Sequence, residues 1–401
     1  MLAAMCGVYF AFGVILLAIP PMVNDVRGDL GISRGGLGFA LGAWPFIYIF
    51  TAPPAGRMID RIGMRRAITI GIALITVSGL IQASARGLAT LWVAIAIIGV
   101  GGPLISASAP KLVADWFADP KERPFAVGLY TSAPALGGVF ALVLTNAFLL
   151  PVLGSWRRVL LVESAVCIVA LLVWIAVSHS APEPPSDDGG PIAPADDGSV
   201  RSLLASRGVR LALVLGLGSF FVNQALGNWL PNILEEGSGL SANVASNVAG
   251  IALAIGIAAR LAVPGLATGE RRALVLSSVM GVMAVSLVVM TVHEPGIVIT
   301  AALVLGVRSA LNSLVIVVLM EADGVTRANM GTANGLWFSI AEIGGAAGPV
   351  TVGVISDSSA GFEGALVVLA AVLALLVVVT VVDDRWHRAQ RVSATPRAPH
   401  R

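Results

Sequence analysis

Hydrophobic residues in this chain are grouped into long continuous runs, and short polar turns separate one run from the next. Each run holds about twenty residues, which is the length that an α-helix needs to cross the hydrocarbon core of a bilayer. The pattern therefore predicts twelve membrane-spanning helices. The predicted spans are residues 3–22, 36–54, 67–84, 88–112, 124–148, 157–178, 209–232, 243–266, 273–292, 296–320, 329–353 and 362–382.

A polar segment over residues 179–208 divides the spans into two groups of six. It is rich in proline, glycine and aspartate and has almost no apolar residues, so it cannot bury enough surface to fold by itself. We expect a disordered cytoplasmic linker there. It would join an N-terminal bundle over residues 1–178 to a C-terminal bundle over residues 209–383, and residues 384–401 would form a cytoplasmic tail.

The two groups of spans are related by an internal repeat. Residues 126–138 align with residues 333–345, sharing an alanine, a leucine, a serine and three glycines, and residues 99–106 align with residues 306–313. Both alignments have the same offset, since 333 − 126 and 306 − 99 are each 207. A shared offset on two separate helices predicts an all-α polytopic membrane protein with two pseudo-symmetric six-helix bundles.

Composition agrees with a membrane protein and excludes several functions. The chain is 57% hydrophobic and 12% charged, with a mean hydropathy of +0.89, which is too apolar for a soluble domain. Lys111 and Lys121 are the only lysines and each follows a proline, so no phosphate-binding loop ending in Gly-Lys exists. No metal-binding or nucleophile motif is present either. We therefore expect neither an enzyme nor a cofactor, and the small net charge of +2 gives no reason to expect nucleic acid.

The distribution of basic residues predicts how the helices are oriented. With both termini in the cytoplasm, 18 of the 25 lysines and arginines fall in cytoplasmic segments, five fall outside, and two, Arg260 and Arg308, lie within spans. Cytoplasmic loops of membrane proteins carry such an excess of positive charge. The count thus favours cytoplasmic N- and C-termini.

A short polar segment between the second and third spans has a regular spacing of charged residues. Its sequence over residues 56–66 is GRMIDRIGMRR, which has the form G-x-x-x-D-R-x-G-x-R-R. Glycines allow tight turns, and the arginines would hold the turn on the cytoplasmic face. The residues that define the pattern are Gly56, Asp60, Arg61, Gly63, Arg65 and Arg66.

This pattern resembles the signature loop of the major facilitator superfamily, a family of secondary transporters. The resemblance implies substrate bound near the membrane midplane between two six-helix halves, in the cytoplasmic (inner) membrane of a bacterium. Asp60 beside the arginines would form a charge pairing in one conformation and break it in the other, as a gating latch does. The alternative is a basic loop that only fixes orientation.

Other motifs are similar to those of particular groups within the superfamily. Residues 111–117, KLVADWF, followed by Arg123, resemble the segment after the fourth helix of porters for small anions such as cyanate, nitrate or monocarboxylates, and residues 229–231, WLP, resemble the seventh-helix exit of cyanate permeases. Residues 133–138, APALGG, approach the G-P-x-x-G-G motif of drug–proton antiporters, with Ala133 in place of a glycine. The cyanate-permease-like group is the closer match.

Polar and aromatic residues inside spans are the candidate substrate contacts, because lipid disfavours polar groups. The resemblance implies that the first, fourth, seventh and tenth helices line the cavity, and the repeat adds equivalent aromatic residues on the fifth and eleventh. Hydrogen bonding between helices or ordinary packing is the alternative for each residue taken alone. The candidates are Tyr9, Tyr130, Asn223, Gln224, Asn228, Arg308, Asn312 and Trp337.

Two opposite charges near the midplane break the repeat. Arg308 aligns with Gly101, and Glu342 aligns with Ala135. An arginine at that depth costs at least ~2.5 kcal/mol, so the two charges are expected to pair. The pair would be either a fixed structural ion pair or an exchangeable one, in which an anion recruits Arg308 and Glu342 takes up a proton.

Two further charged residues inside spans, Glu163 and Arg260, have simpler expectations. Glu163, on the sixth span, is expected to pair with Arg157 or Arg158. Arg260, near the cytoplasmic end of the eighth span, is expected to extend toward the interface, and contact with substrate is its alternative role.

Together these observations predict a secondary active transporter that moves a small solute by alternating access. We expect an organic or inorganic anion coupled to protons, and a monomer whose partners are the substrate, protons and the lipid bilayer. Proton-driven efflux of amphipathic drugs or metabolites is the first alternative. A non-transporting sensor or scaffold of the same fold is the second.

Overall fold

Twelve helices long and apolar enough to cross a membrane make up this computed structural model, which describes residues 1–117, 123–181, 197–267, 271–326 and 329–394. For a few residues inside these ranges, Asp60 among them, only the backbone is described. Each predicted span corresponds to one helix. The helices are α1 (Leu2–Leu30), α2 (Arg34–Ile59), α3 (Met64–Ala83), α4 (Leu88–Val113), α5 (Phe125–Leu153), α6 (Trp156–Ser180), α7 (Arg207–Ser238), α8 (Ala242–Leu266), α9 (Arg272–Val292), α10 (Pro295–Met320), α11 (Thr332–Ser356) and α12 (Gly361–Trp386).

Several of these helices are interrupted by short turns of different pitch. A 3-10 turn at Pro20–Met22 divides α1, a π-helical segment at Thr145–Leu149 interrupts α5, and a 3-10 turn at Leu305–Val307 precedes Arg308 in α10. Such changes of pitch redirect side chains within a continuous helix and are common at functional positions.

The helices form two bundles of six, and glycines bring matching helices of each bundle into contact. A Cβ on Gly137 of α5 would lie 2.0 Å from the carbonyl oxygen of Phe10 in α1, and a Cβ on Gly344 of α11 would lie 1.9 Å from that of Leu217 in α7. Both members of the second contact are offset by 207 residues from those of the first. The repeat found in the sequence is therefore also a repeat of backbone packing, and only glycine fits at either contact.

The two bundles meet along α2 with α11 and along α5 with α8. We call the end of the molecule that holds the α1–α2, α5–α6, α7–α8 and α11–α12 turns the distal end; it lies opposite both chain termini. There the backbone amides of Arg34 and Gly35 donate to the carboxylate of Asp357, at 3.1 and 2.6 Å. The Arg34 side chain pairs with Glu236 and donates to the carbonyl oxygen of Ser356 at 3.3 Å. These five residues form the distal clasp, which joins α2 to α7 and α11.

A second polar contact joins the bundles at the distal end. Asn146, in the π-helical segment of α5, donates through Nδ2 to the carbonyl oxygen of Pro21 at 2.8 Å and to the hydroxyl of Ser246 in α8 at 2.7 Å. The same amide lies 3.3 Å from the carbonyl oxygen of Ala242. The distal end is thus closed in this structure by contacts on both sides of the interface between the bundles.

The segment between the bundles differs in part from the prediction. Residues 197–205 form a helix, Asp197–Ala205, and Leu203 within it is buried, so the predicted disorder does not extend to residue 208. The sequence after Asp197 regains apolar residues at helical spacing, at Val200, Leu203 and Leu204, and burial of Leu203 attaches this helix to the rest of the protein. Residues 182–196 of the predicted linker lie outside the described residues, as do residues 395–401 of the tail. Residues 384–394 continue the last helix.

The expected partners of Glu163 are also different. Arg157 pairs with Asp29 and donates to the carbonyl oxygen of Ala85 at 2.9 Å. Arg158 donates to the carbonyl oxygen of Leu153 at 3.1 Å. Both arginines lie at the distal start of α6, two turns from a glutamate that points into the bundle, so the sequence proximity was misleading.

The glycine contact between α7 and α11 leads to a first prediction. Gly344→Ala should lower the thermal unfolding temperature of the detergent-solubilised protein, because the added methyl group must displace backbone; overpacking of this kind costs about 1–3 kcal/mol. Gly335→Ala, on the same helix, is the control, since a Cβ there meets nothing within 4 Å. Equal unfolding temperatures for the two variants would contradict the close approach.

The distal clasp leads to a second prediction, which concerns pH. Burial alone would raise the pKa of Asp357, but hydrogen bonds from Gly35, Arg34 and Ser33 and the charge of Arg27 outweigh it and hold this pKa below its usual value. Because the pKa of Asp357 is lowered, its ionised carboxylate stabilises the closed distal end at every pH above the ordinary pKa of an aspartate. That contribution is lost as the pH falls through the lowered pKa, below about pH 4.

The measurement is the distance between spin labels at Gly28→Cys and Ser359→Cys across the distal end, recorded as a function of pH. Asp357→Asn should lengthen this distance at neutral pH and remove its acid-dependent step. Asp323→Asn, an exposed aspartate outside the clasp, should leave both unchanged. A neutral-pH distance that Asp357→Asn does not alter would show that the clasp carries no closing force.

Candidate functional site

Arg308 is the charged residue around which the candidate site is arranged. It follows the 3-10 turn of α10, and its side chain is 6% exposed. The nitrogens Nε and Nη1 are buried and have no hydrogen-bond partner among the described residues. Close packing fixes α10 at this level, since a Cβ on Gly256 of α8 would lie 2.3 Å from the hydroxyl of Ser309. The helix thus holds a guanidinium inside the protein with donors left over.

Two predicted site residues lie directly beside Arg308. Asn223 of α7 donates through Nδ2 to the carbonyl oxygen of Arg308 at 3.4 Å and to Oδ1 of Asn312 at 3.3 Å. Asn312 lies one helical turn beyond Arg308 on α10, so its side chain emerges on the same face. One polar group between α7 and α10 is therefore formed by Arg308, Asn223 and Asn312.

Arg260 of α8 is placed differently from its expectation. Its Nη1 donates to the carbonyl oxygen of Thr131 in α5 at 3.4 Å, so the side chain turns into the interface between the bundles instead of toward the membrane surface. Its positive charge repels that of Arg308. Within the described residues, neither arginine forms an ion pair with a carboxylate. The site accordingly has two cationic groups without a protein counter-ion.

Glu342 of α11 is 2% exposed, and its Oε2 is buried without a hydrogen-bond partner. A Cβ on Gly345 would lie 2.7 Å from this oxygen, 3.4 Å from Cγ of Gln224 in α7 and 3.5 Å from Cβ of Pro45 in α2. The carboxyl group is thus at the boundary between the two bundles. Glu342 forms no ion pair with Arg308 in the described part of the chain, so the expected pairing of these two charges is not found in this structure.

Two pairs of aromatic residues make contact inside the protein. The rings of Tyr9 in α1 and Tyr130 in α5 have centroids 5.2 Å apart, and each side chain is 7% exposed. Tyr48 of α2 stacks on Phe338 of α11 at 5.8 Å and shares a hydrogen bond of 2.8 Å with Ser106. Tyr48 and Phe338 join the two bundles next to Glu342. Sequence analysis did not identify them, since single aromatic residues are ordinary in membrane spans.

Two of the predicted substrate contacts have roles in packing. Trp337 is fully buried, and its indole nitrogen donates to the carbonyl oxygen of Ala212 at 3.0 Å between α11 and α7. Asn228 is 4% exposed and donates to the carbonyl oxygen of Gln224, one turn back in its own helix, at 2.8 Å. Their assignment to substrate binding stays a prediction.

The signature loop forms a tight junction between α2 and α3. Gly63 has a φ of +82°, which glycine adopts without strain, and this reverses the chain after Ile62. Arg65 donates to the carbonyl oxygen of Ser178 near the end of α6 at 2.8 Å. Gly56 lies in open space, so close helix approach is not the reason for that glycine.

The remaining signature residues do not test whether Asp60 acts as a gating latch. Arg66 lies on α3, and Arg61 lies in the helical turn that continues from α2 to Ile62. The side chain of Asp60 is outside the described part, and its role as a latch stays a prediction.

Comparison with known proteins identifies the family. A family model described as Major Facilitator Superfamily matches residues 1–324. The chain is 28% identical over 247 residues to the D-galactonate transporter of Escherichia coli O6:H1, and the match covers 54% of each chain. It is 30% identical over 166 residues to the cephamycin export protein CmcT of Amycolatopsis lactamdurans, covering 41% of this chain and 33% of that one. The chain thus matches about half, or less, of the length of these curated relatives.

A solved structure supports the same assignment at the level of fold. It is described as a bacterial homolog to the human lysosomal transporter Spinster in an inward-facing and occupied conformation. The two chains share 15% identity with a TM-score of 0.77, and 96% of each is covered. No comparison singles out the cyanate-permease group, which stays a prediction. The extent of the family match, the twelve helices and the paired six-helix bundles place this chain in the Major Facilitator Superfamily.

Proposed function

We propose that this protein is a secondary active transporter that carries a small organic or inorganic anion across the cytoplasmic membrane by alternating access, coupled to protons. The observation that supports an anion is Arg308, a buried guanidinium whose Nε and Nη1 have no partner. A buried cation without a counter-ion is costly, and a bound anion would remove that cost. Arginine also offers paired donors that match carboxylate geometry.

The neighbours of Arg308 favour the same class of substrate. Asn223 and Asn312 supply amide groups for the polar part of a ligand, and Arg260 supplies a second positive charge. One relative is named a D-galactonate transporter, and galactonate is an organic anion. We infer that the substrate carboxylate would lie against Arg308 while the rest of the molecule contacts Tyr9 and Tyr130.

Proton coupling is assigned to Glu342. Its carboxyl group is buried at the boundary between the bundles and has no counter-ion, and an ionised carboxylate in such a place is costly. Uptake of a proton would remove this charge while an anion neutralises Arg308. Because the two residues are not paired here, anion and proton would bind at separate places and cross together.

The orientation of the protein in the membrane identifies which entrance is closed. The positive-inside count places both termini in the cytoplasm, so the distal end would face outside. The distal clasp and the contact made by Asn146 would then close the outer entrance in the present conformation. Tightening and release of these contacts would alternate with those at the cytoplasmic end.

Export of amphipathic compounds is the second candidate. Relatives named cephamycin export protein CmcT and puromycin resistance protein pur8 are each 30% identical over 166 and 171 residues, and the aromatic lining of the site suits an apolar ligand. Counterflow in proteoliposomes, with a panel of small anions including galactonate and a panel of cationic dyes, distinguishes the two. Exchange of dyes without exchange of any anion would overturn the anion proposal.

Removal of the proposed anchor gives a third prediction. Arg308→Gln should weaken anion binding by on the order of 10- to 100-fold, the effect of losing a hydrogen bond to a charged group. Arg201→Gln changes an exposed arginine outside the site and should leave binding unchanged. Half-saturation of anion counterflow measures the effect, and a variant at position 308 with unaltered half-saturation would exclude Arg308 as the anchor.

Removal of the proposed proton site gives a fourth prediction. Glu342→Gln should retain counterflow, which needs no net proton movement, and lose accumulation of the anion driven by a pH gradient. Glu363→Gln, an exposed glutamate at the start of α12, should retain both. Both activities are measured in the same proteoliposomes, and accumulation that persists in Glu342→Gln would remove the coupling role.

A further inference from the structure

Glu163 is a fully buried carboxyl group that the proposed transport site does not use. It lies on α6 and accepts one hydrogen bond, from the hydroxyl of Thr145 in α5, at 3.0 Å. Its other oxygen, Oε2, is buried without a hydrogen-bond partner. Arg157 and Arg158, the nearest basic residues along α6, have other partners.

The surroundings of Glu163 offer no counter-ion. On α6 itself, the thiol of Cys167 lies one turn away and donates to the carbonyl oxygen of Ala11 in α1 at 3.5 Å. From α3, Gly79 packs against Ser164, and α5 contributes the uncharged Thr145. Among the described residues that face this carboxyl group, Cys167 is the titratable one, and no basic side chain is present.

The π-helical segment connects Glu163 to the closure of the distal end. Thr145 and Asn146 are adjacent in that segment, and their side chains point in different directions. Thr145 donates to Glu163 inside the N-terminal bundle, whereas Asn146 donates across to Pro21 and to Ser246 of the other bundle. A change in the contact of Thr145 with Glu163 must therefore shift the residue that helps to close the distal end.

We propose that Glu163 is a proton-binding site, separate from the central cavity, that controls this closure. The neutral carboxylic acid accepts from Thr145 and leaves one O–H unpaired, whereas a buried carboxylate with one donor and no counter-ion carries a full uncompensated charge, which costs more. The closed arrangement therefore suits the protonated side chain. After the proton leaves to water, the carboxylate requires hydration, which it gains when α5 separates from α8 and the distal end opens.

The proposal rests on the proposed function only in that the distal end opens and closes. It needs neither an anionic substrate nor a role for Arg308 or Glu342. The effect of pH on closure also differs from that of the distal clasp. Acid favours closure through Glu163, whereas acid weakens closure through Asp357. The two effects can therefore be separated in one titration.

The test measures the distance between spin labels at Val152→Cys on α5 and Val244→Cys on α8, across the closure made by Asn146, in purified protein without substrate. Cys6 is replaced by alanine, and the fully buried Cys167 is kept. In otherwise unaltered protein the labels should approach as the pH is lowered from alkaline to neutral. Glu163→Gln, which imitates the protonated side chain, should keep the short distance throughout that range.

Controls make the result specific. Glu294→Gln removes an exposed carboxylate near the distal end and should keep the pH-dependent approach. Infrared spectra of the closed protein should contain a band of a protonated carboxylic acid that weakens in Glu163→Gln and not in Glu294→Gln. Retention of the pH-dependent approach in Glu163→Gln, or an infrared band unaltered by this change, would overturn the proposal.

A second variant tests the proposal even if Glu163→Gln does not fold. Thr145→Val keeps the carboxyl group of Glu163 and removes the one hydroxyl that donates to it. Because that donor stabilises the ionised carboxylate, its removal makes the carboxylate less stable relative to the protonated acid. The pH-dependent approach should then occur at higher pH than in the unaltered protein. An approach at the same pH would show that Thr145 does not sense the charge on Glu163, which would equally overturn the proposal.

Discussion

A charge buried in a membrane protein without a counter-ion is the constraint on which the functional part of this structure depends, because hydrocarbon supplies neither hydrogen bonds nor ions. The buried charged side chains of the described residues are Glu163, Arg308 and Glu342, and none forms an ion pair there. Each is therefore a place where binding a small ion or a proton lowers the free energy. Three such places in one molecule give it several ways to respond to its ligands.

The scaffold around these charges is rigid where backbones touch and adjustable where the bundles meet. Gly137 and Gly344 hold α1 to α5 and α7 to α11 at distances that admit no side chain, so these helix pairs are tightly joined within their bundles. The interface between the bundles is instead held by side-chain hydrogen bonds such as those of Arg34 and Asn146. Contacts of that kind contribute about 1 kcal/mol each and can be exchanged at low cost.

The sequence was sufficient for the fold and for part of the site. Length and hydropathy located all twelve helices, and the offset of 207 residues anticipated the paired glycine contacts. Arg308, Asn223 and Asn312 were found because polar residues are rare in spans, and they do lie together. Their contact is shown by the structure, and their role in binding substrate stays a prediction.

Other features depend on rotation about helix axes, which a single sequence does not define. Trp337 was chosen with the same reasoning as Tyr130, yet its indole is used within the C-terminal bundle. Glu163 was matched to arginines close in sequence, although the π-helical segment supplies Thr145 instead. Tyr48 and Phe338 stack across the bundles, and neither residue type stands out against an apolar background. Local changes of helical pitch and tertiary packing determine which partners these side chains contact.

The repeat also has a mechanical consequence. A Cβ on Gly101 would lie 2.7 Å from the carbonyl oxygen of Gly71, so α3 and α4 are locked together by bare backbone. The equivalent position in the other bundle is Arg308, and α9 packs less extensively against α10 than α3 does against α4. The N-terminal bundle is therefore stiffer at this level than the C-terminal bundle. During the proposed rocking of the bundles, elastic strain should concentrate in the compliant half, which is also the half that holds Arg308 and Glu342.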